Sequence, residues 1–190
     1  MRAILIDNGT SYINKLEQLL HNYCSEVRVY SNGSIELQDI EASDLVVLSG
    51  GHVHPVLGYE HVYHREIEII KQHEGSILGV CLGFQLIAHT FGAELKRLDS
   101  KRKGNMPIEI TDVELVGQSN RIEVHESHKW SVPAVSSPLV PLAYSGDSVE
   151  IIKHATLRIY AMQFHPEVGD SPDVIELFDK IMSQLTSHSG

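Results

Sequence analysis

Cysteine is nearly missing from this chain: only Cys24 and Cys81 occur in 190 residues. Two cysteines allow one disulfide at most, which excludes the dense framework of a small secreted domain. A membrane-spanning helix is excluded too, because no apolar run approaches the roughly 20 residues that a bilayer requires. The opening run Met1-Arg2-Ala3-Ile4-Leu5-Ile6 meets Asp7 too early to be the apolar centre of a signal peptide. Positive charge is scarce as well: 15 Lys and Arg stand against 25 Asp and Glu, a formal net charge of −10. That balance argues against a broad basic face for nucleic acid or an anionic membrane. Repeats, linkers and low-complexity stretches are also lacking. These absences predict a reducing, cytoplasmic setting. A hydrophobic content of 42% predicts an ordered core, with one domain spanning residues 1–190.

What is present is an alternation of short apolar runs with helix-period stretches, which predicts an α/β fold: a doubly wound, mostly parallel, flavodoxin-like sheet with flanking helices. Arg2–Asp7, Glu26–Tyr30, Asp44–Ser49 and Ser76–Val80 read as strands. Ile13, Leu16, Leu19, Leu20 and Tyr23 recur at helical spacing. Glu60–Gln72 reads as a helix with Val62, Ile67 and Ile70 inward, and Gly83–Phe91 as another that Gly92 closes. Short β-like runs follow at Pro107–Ile110, Arg121–His125, Val149–Lys153 and Arg158–Met162. Ser171-Pro172-Asp173 then opens a last helix, with serine at the N-cap and Val174, Leu177, Phe178, Ile181 and Leu185 as its buried stripe.

The most informative segment is Gly79-Val80-Cys81-Leu82-Gly83, placed between a buried strand and a helix. A free cysteine is usually a small buried hydrophobe, and the five residues alone do not decide otherwise. The strand–turn–helix context does: a nucleophile on such a turn stands out at the carboxyl edge of the sheet. The following helix directs its free N–H groups and positive end at the sulfur. The N–H of Leu82 is then placed to meet an oxyanion on the substrate.

A cysteine nucleophile needs a base and a group that holds the base. His165-Pro166-Glu167 supplies both after a β-like run, the proline limiting the freedom between them. An isolated His-Pro-Glu is more often a strand-end histidine beside a solvated acid; its place far along the chain from a cysteine elbow reverses that preference. Leu48-Ser49-Gly50-Gly51 ends a strand in two glycines, so the N–H of Gly51 is a second oxyanion donor or the loop is a plain tight turn.

These segments resemble the class I (triad) glutamine amidotransferases over nearly the whole chain. The residues that carry the resemblance are Asp7-Asn8-Gly9, Leu48-Ser49-Gly50-Gly51, Gly79 to Ile87, Glu126-Ser127-His128 and Gln163-Phe164-His165-Pro166-Glu167-Val168. The resemblance implies Cys81 as nucleophile, His165 as base, Glu167 as its orienter, and Gly51 and Leu82 as the oxyanion hole. It implies that Gln85 and the Ser127-His128 backbone hold the amino-acid end of L-glutamine, with no metal or organic cofactor. Within the family the chain is similar to the free-standing glutaminase subunit of GMP synthetase, typical of archaea. That similarity implies a synthetase partner, the ATP-pyrophosphatase subunit. The chain departs from that pattern at Gly50-Gly51-His52-Val53-His54-Pro55, in place of Gly-Gly-Pro, and at Trp130, in place of an acid.

Rival readings remain. The synthetase could be of the anthranilate or aminodeoxychorismate type, although those glutaminases usually carry Pro-Gly where this chain has Gly50-Gly51. A stand-alone γ-glutamyl hydrolase would use the same triad without a partner, and a non-catalytic binding module would not need the triad at all. Histidines 52, 54, 61, 64 and 73 crowd together but lack a third ligand at metal-site spacing, so surface histidines are the expectation. Trp130 is either an interface anchor or a core residue.

Overall fold

The apolar runs of the first half become neighbouring strands. The computed structural model describes residues 1–35, 39–40 and 42–187. In it β1 (Arg2–Asp7), β2 (Glu26–Ser31), β3 (Leu45–Leu48), β4 (Ser76–Val80) and β9 (Ile159–Met162) lie parallel in the order β2-β1-β3-β4-β9. β3, β4 and β9 are buried at every residue, as strands covered on both faces must be.

Alternate side chains enter two cores. Ala3, Leu5, Leu45, Val47, Leu78, Val80 and Met162 face α1 (Ile13–Leu20) and α4 (Pro172–Thr186). Ile4, Ile6, Val46, Leu48, Ile77 and Ala161 face α2 (His64–Gln72) and α3 (Leu82–Thr90). Helices on both faces make the sheet doubly wound, and the carboxyl ends of β1, β3, β4 and β9 meet at one edge. That edge is where ligands bind in open α/β sheets.

The second half of the chain extends the sheet with antiparallel strands. β5 (Lys96–Ile110), β6 (Arg121–Ser131), β7 (Leu139–Ser145) and β8 (Ser148–His154) continue the order as β9-β8-β7-β5-β6. The sheet is therefore mixed: four of its pairings are parallel and four antiparallel. β7 has no counterpart in the sequence reading, and β5 and β6 run well beyond the expected Pro107–Ile110 and Arg121–His125. The added part of β5 is largely exposed and held by backbone pairing, and the added part of β6 buries polar Glu126, His128 and Ser131; apolar patterning registers neither.

Helix boundaries also shift. α2 starts at His64 and not Glu60, because Val62 and Tyr63 close turns on Tyr59 and Glu60 first. Its buried face is Glu66, Ile69 and Ile70; Val62 and Ile67 are only partly covered. After α3 the chain turns on Gly92 at φ +89°, with Gly92 N–H donating to His89 O and Ala93 N–H to Ala88 O, a Schellman closure. Ser171 occupies the N-cap of α4 as expected, but its hydroxyl makes no capping bond.

Glu66 is the anomaly on that buried face. It is 1% exposed, and neither carboxyl oxygen has a hydrogen bond of ordinary geometry. Burial pushes its pKa up to about 7, against the opposing pull of the local backbone N–H and the Asn8 amide. Such an acid favours the fold while protonated, so its contribution is complete below about 4.5 and lost as pH rises to about 7. Glu66→Gln removes the ionisation and is expected to raise stability near pH 8 by up to about 3 kcal/mol, with little gain near pH 4. Urea unfolding at the two pH values checks this; an equal change at both would contradict it.

Candidate active site

Cys81 follows β4 with φ 53° and ψ −99°, the only non-glycine residue with positive φ among the described residues. Two glycines make the bend possible. A methyl on Gly83 would lie 2.2 Å from the carbonyl oxygen of Leu48, and one on Gly79 would lie 2.8 Å from the backbone of Gly83. Backbone bonds pin the turn: Cys81 N–H donates to Met162 O at 2.9 Å and Gln85 N–H to Cys81 O at 3.1 Å. The sulfur thus sits at the amino end of α3, buried beneath a cavity.

His165 stands beside it, just past the carboxyl end of β9. Its N–H donates to His125 O at 2.9 Å, and Val168 N–H closes a turn on His165 O around Pro166. That turn returns Glu167 to the ring, with Oε1 at 2.7 Å from Nδ1. A carboxylate there accepts the Nδ1 hydrogen and leaves Nε2 for the hydrogen bond to Cys81. Burial opposes a charged ring, but the bonds to Cys81 and Glu167 and their negative charges outweigh it and raise the His165 pKa to about 10. Near neutral pH the ring is therefore a cation lodged between sulfur and carboxylate.

Contacts that the sequence did not reveal hold this pair in place. Tyr12 sets its ring edge-on to His165, with centroids 5.1 Å apart, and contacts His125 as well. A methyl on Gly50 would lie 3.0 Å from Cε1 of His165 and 3.4 Å from Cβ of Cys81, so a side chain there would press on both. Gly51 has its own reason, since its methyl would lie 2.3 Å from the carbonyl oxygen of Asn8. Asn8 N–H donates to the Ser49 hydroxyl at 2.9 Å, tying the β1 and β3 loops together. The glycines were visible in the sequence, but the partners that require them lie in other segments.

Gly51, Cys81, Leu82, Gln85, Ser127 and His128 all line one cavity of about 640 Å³. Of the sequence-selected residues, His165 and Glu167 stand behind Cys81, outside the lining. The N–H groups of Gly51 and Leu82 have no acceptor among the described residues. Gln85 donates through Nε2 to Trp130 O at 3.2 Å and Gln163 Oε1 at 3.1 Å. Trp130 packs partly buried against the α2–α3 core, as its core reading expects, and also lines the cavity. Arg97, Lys101 and Lys129, exposed and not foreseen, also line it, as do His52, His54 and Pro55 of the loop after β3.

The histidine-rich segment takes another form: His54 stacks on Tyr59 at 4.6 Å, and His64 Nδ1 bonds His61 O. Among the described residues no three His, Cys, Asp or Glu side chains converge as metal ligands. Nor is any described helix long and apolar enough to cross a membrane.

Known proteins share the sequence pattern and the fold. The sequence model of the class I glutamine amidotransferase family matches residues 4–184. The chain is 33% identical to a glutamine-hydrolysing GMP synthase subunit of Pyrococcus furiosus, covering 96% of this chain and 99% of the relative. With the protein of the same name from Methanobrevibacter smithii it shares 29% identity, covering 94% and 93%. The solved structure of a GMP synthase subunit from Thermoplasma acidophilum superimposes with a TM-score of 0.85 at 25% identity, covering 97% of this chain and 94% of the other. A glutamine amidotransferase from Thermotoga maritima shares the fold at a TM-score of 0.78 and 17% identity, covering 98% and 99%.

The two thiols differ in setting. Cys24 is pushed up to about 11, first by burial, while Cys81 faces the His165 cation. Iodoacetamide near pH 7 is expected to label Cys81 at least about 10-fold faster than Cys24. His165→Ala should slow the first reaction and spare the second. Peptide mass spectrometry reads both, and equal labelling would contradict this account of the site.

Proposed function

This chain belongs to the class I glutamine amidotransferases, and from that premise we propose that it is a cytoplasmic, single-domain glutaminase subunit that supplies ammonia to a synthetase. The buried Cys81–His165–Glu167 alignment under the cavity carries the reading. Within the family, the names of its archaeal relatives favour GMP synthetase, whose ATP-pyrophosphatase subunit would use the ammonia to convert XMP to GMP.

In the proposed reaction the Cys81 thiolate attacks the side-chain amide carbon of L-glutamine. The N–H groups of Gly51 and Leu82 receive the oxyanion as the carbonyl bond opens. His165 Nε2 gives its proton to the amide nitrogen as the C–N bond breaks, releasing ammonia and leaving a glutamyl thioester. Water then attacks the thioester and loses a proton to the same Nε2. Collapse of the second intermediate expels the thiolate and frees glutamate. Glu167 stabilises the imidazolium throughout and fixes its tautomer. Gln85 and the Ser127-His128 backbone hold the amino-acid end. Every step is assigned to a residue of this chain.

A second reading, hydrolysis of γ-glutamyl conjugates, draws on one observation. The cavity has the size of a site for a drug-sized molecule, and Arg97, Lys101 and Lys129 would suit an anionic leaving group.

The deciding assay is glutamate release by the chain alone, then with a GMP synthetase ATP-pyrophosphatase subunit from the same source, ATP and XMP. Stimulation with GMP formation is expected; glutaminase activity indifferent to that subunit would discard the GMP assignment and keep the chemistry. Cys81→Ala should abolish glutamate release with the fold intact, and Glu167→Gln should lower kcat by at least about 100-fold. Because the His165 pKa is raised, activity should hold through neutral pH and fall as pH passes about 10. Glu167→Gln should shift that fall to lower pH. A limb that stays in place would contradict the role given to Glu167.

A further inference from the structure

Behind the far wall of the cavity lies a buried charge cluster that the proposed reaction does not use. Glu126 and Glu150 are both 0% exposed, and both stand near one nitrogen of Arg102. Its Nη1 is 3.9 Å from Glu126 Oε2 and 3.6 Å from Glu150 Oε1. Arg102 Nη1 also donates to the Ser145 hydroxyl at 2.9 Å, and that hydroxyl donates to Glu150 Oε1 at 2.5 Å. The exposed Asp147 carboxylate flanks the same guanidinium at 3.9 Å. β5, β6, β7 and β8 each supply a member or a neighbour of this cluster.

His128 connects the cluster to the cavity, and its hydrogen bonds fix a proton count. Nδ1 lies 2.8 Å from Trp130 O, which can only accept, so Nδ1 carries a hydrogen. Nε2 lies 3.0 Å from Glu126 Oε2. Two lone pairs cannot face each other at that distance in a buried site, so one more proton sits in this contact, on the ring or on the carboxyl. The shared proton thus offsets Glu126, and Arg102 stands between the Glu150 carboxyl and the exposed Asp147 carboxylate.

The same contacts reach the substrate wall. Trp130 O accepts from His128 and from Gln85 Nε2, and Gln85 Nε2 also bonds Gln163 Oε1. Gln163 N–H returns to Glu150 O at 2.9 Å and closes the circuit. Ser127 and Trp130, on either side of His128, line the cavity.

We propose that Glu126 is a positioning residue for the substrate: backed by Arg102 and Glu150, it holds one proton against His128 and so fixes the Ser127–Trp130 wall on which glutamine rests. The proposal rests on the glutaminase reading. It assigns Glu126 an effect on KM and none on the bond-breaking residues. Burial and the neighbouring Glu126 charge push the Glu150 carboxyl up to about 8, so a rise in pH through that value adds a second buried negative charge beside Glu126 and loosens the wall.

Steady-state glutamate release by the wild type, Glu126→Gln and Glu126→Leu, measured from about pH 6 to pH 9, tests it. The amide introduced by Glu126→Gln can donate to Nε2 of a neutral ring without any shared proton. That variant should keep KM within about 3-fold of wild type near pH 7 and lose the alkaline rise in KM that the wild type shows. Glu126→Leu leaves Nε2 unpaired and should raise KM at least about 10-fold while kcat stays within about 3-fold. Should Glu126→Leu fail to fold, the KM profile of Glu126→Gln decides. A pH-independent wild-type KM, a Glu126→Gln variant that keeps the wild-type rise, or a loss in kcat at constant KM would overturn the proposal alone. A wild-type chain with no glutaminase activity, with or without its partner subunit, would overturn the underlying reading as well.

Discussion

The left-handed backbone of Cys81 is the constraint on which the rest of the site depends. A non-glycine residue held there costs on the order of 1–2 kcal/mol and persists only where its surroundings over-determine it. Here the β4–β9 ladder holds one side of the residue and the first turn of α3 holds the other. Gly79 and Gly83 remove the side chains that would block the bend, and that lets α3 start against the end of β3. Because β3 ends there, its Ser49-Gly50-Gly51 loop lies against the sulfur, and β1 adds Asn8 beneath it. The bend of one residue thus sets the positions of three loops.

Electrostatics acts within that frame through two buried acid–histidine pairs of like spacing. In His165-Pro166-Glu167 the carboxylate takes Nδ1 and presents Nε2 to Cys81. In Glu126-Ser127-His128 the carboxylate takes Nε2, and Nδ1 is spent on the Trp130 carbonyl. The first pair leaves one ring nitrogen facing Cys81, as the proposed chemistry requires; the second engages both. Opposite engagement of the ring distinguishes the histidine proposed to react from the one proposed to hold the wall, although both are almost wholly buried.

Much of this was legible in the sequence because it rests on local patterns. Strands buried on both faces appear as unbroken apolar runs, and β1 and β4 have the bounds read from Arg2–Asp7 and Ser76–Val80. The Gly79–Gly83 segment announces the elbow, since only glycines tolerate its approaches. What stayed hidden depends on partners distant in the chain. The Lys96–Asn105 part of β5 is polar and becomes a strand only by pairing with β6, and β7 carries Pro141 in a run with no alternation. Tyr12 and His125 meet His165 only after folding, and Glu66 gave no sign that a helical acid would face inward. The cations around the cavity run against the net charge, so composition alone pointed away from them.

The central claim is that Cys81 attacks glutamine and carries its acyl group. Acid-quenching the chain during turnover of glutamine, followed by peptide mass spectrometry, tests this directly. The account predicts a glutamyl group on the Cys81 peptide that hydroxylamine removes, and none on Cys24. Glutamate formed with no adduct on Cys81, or with one on another residue, would contradict it.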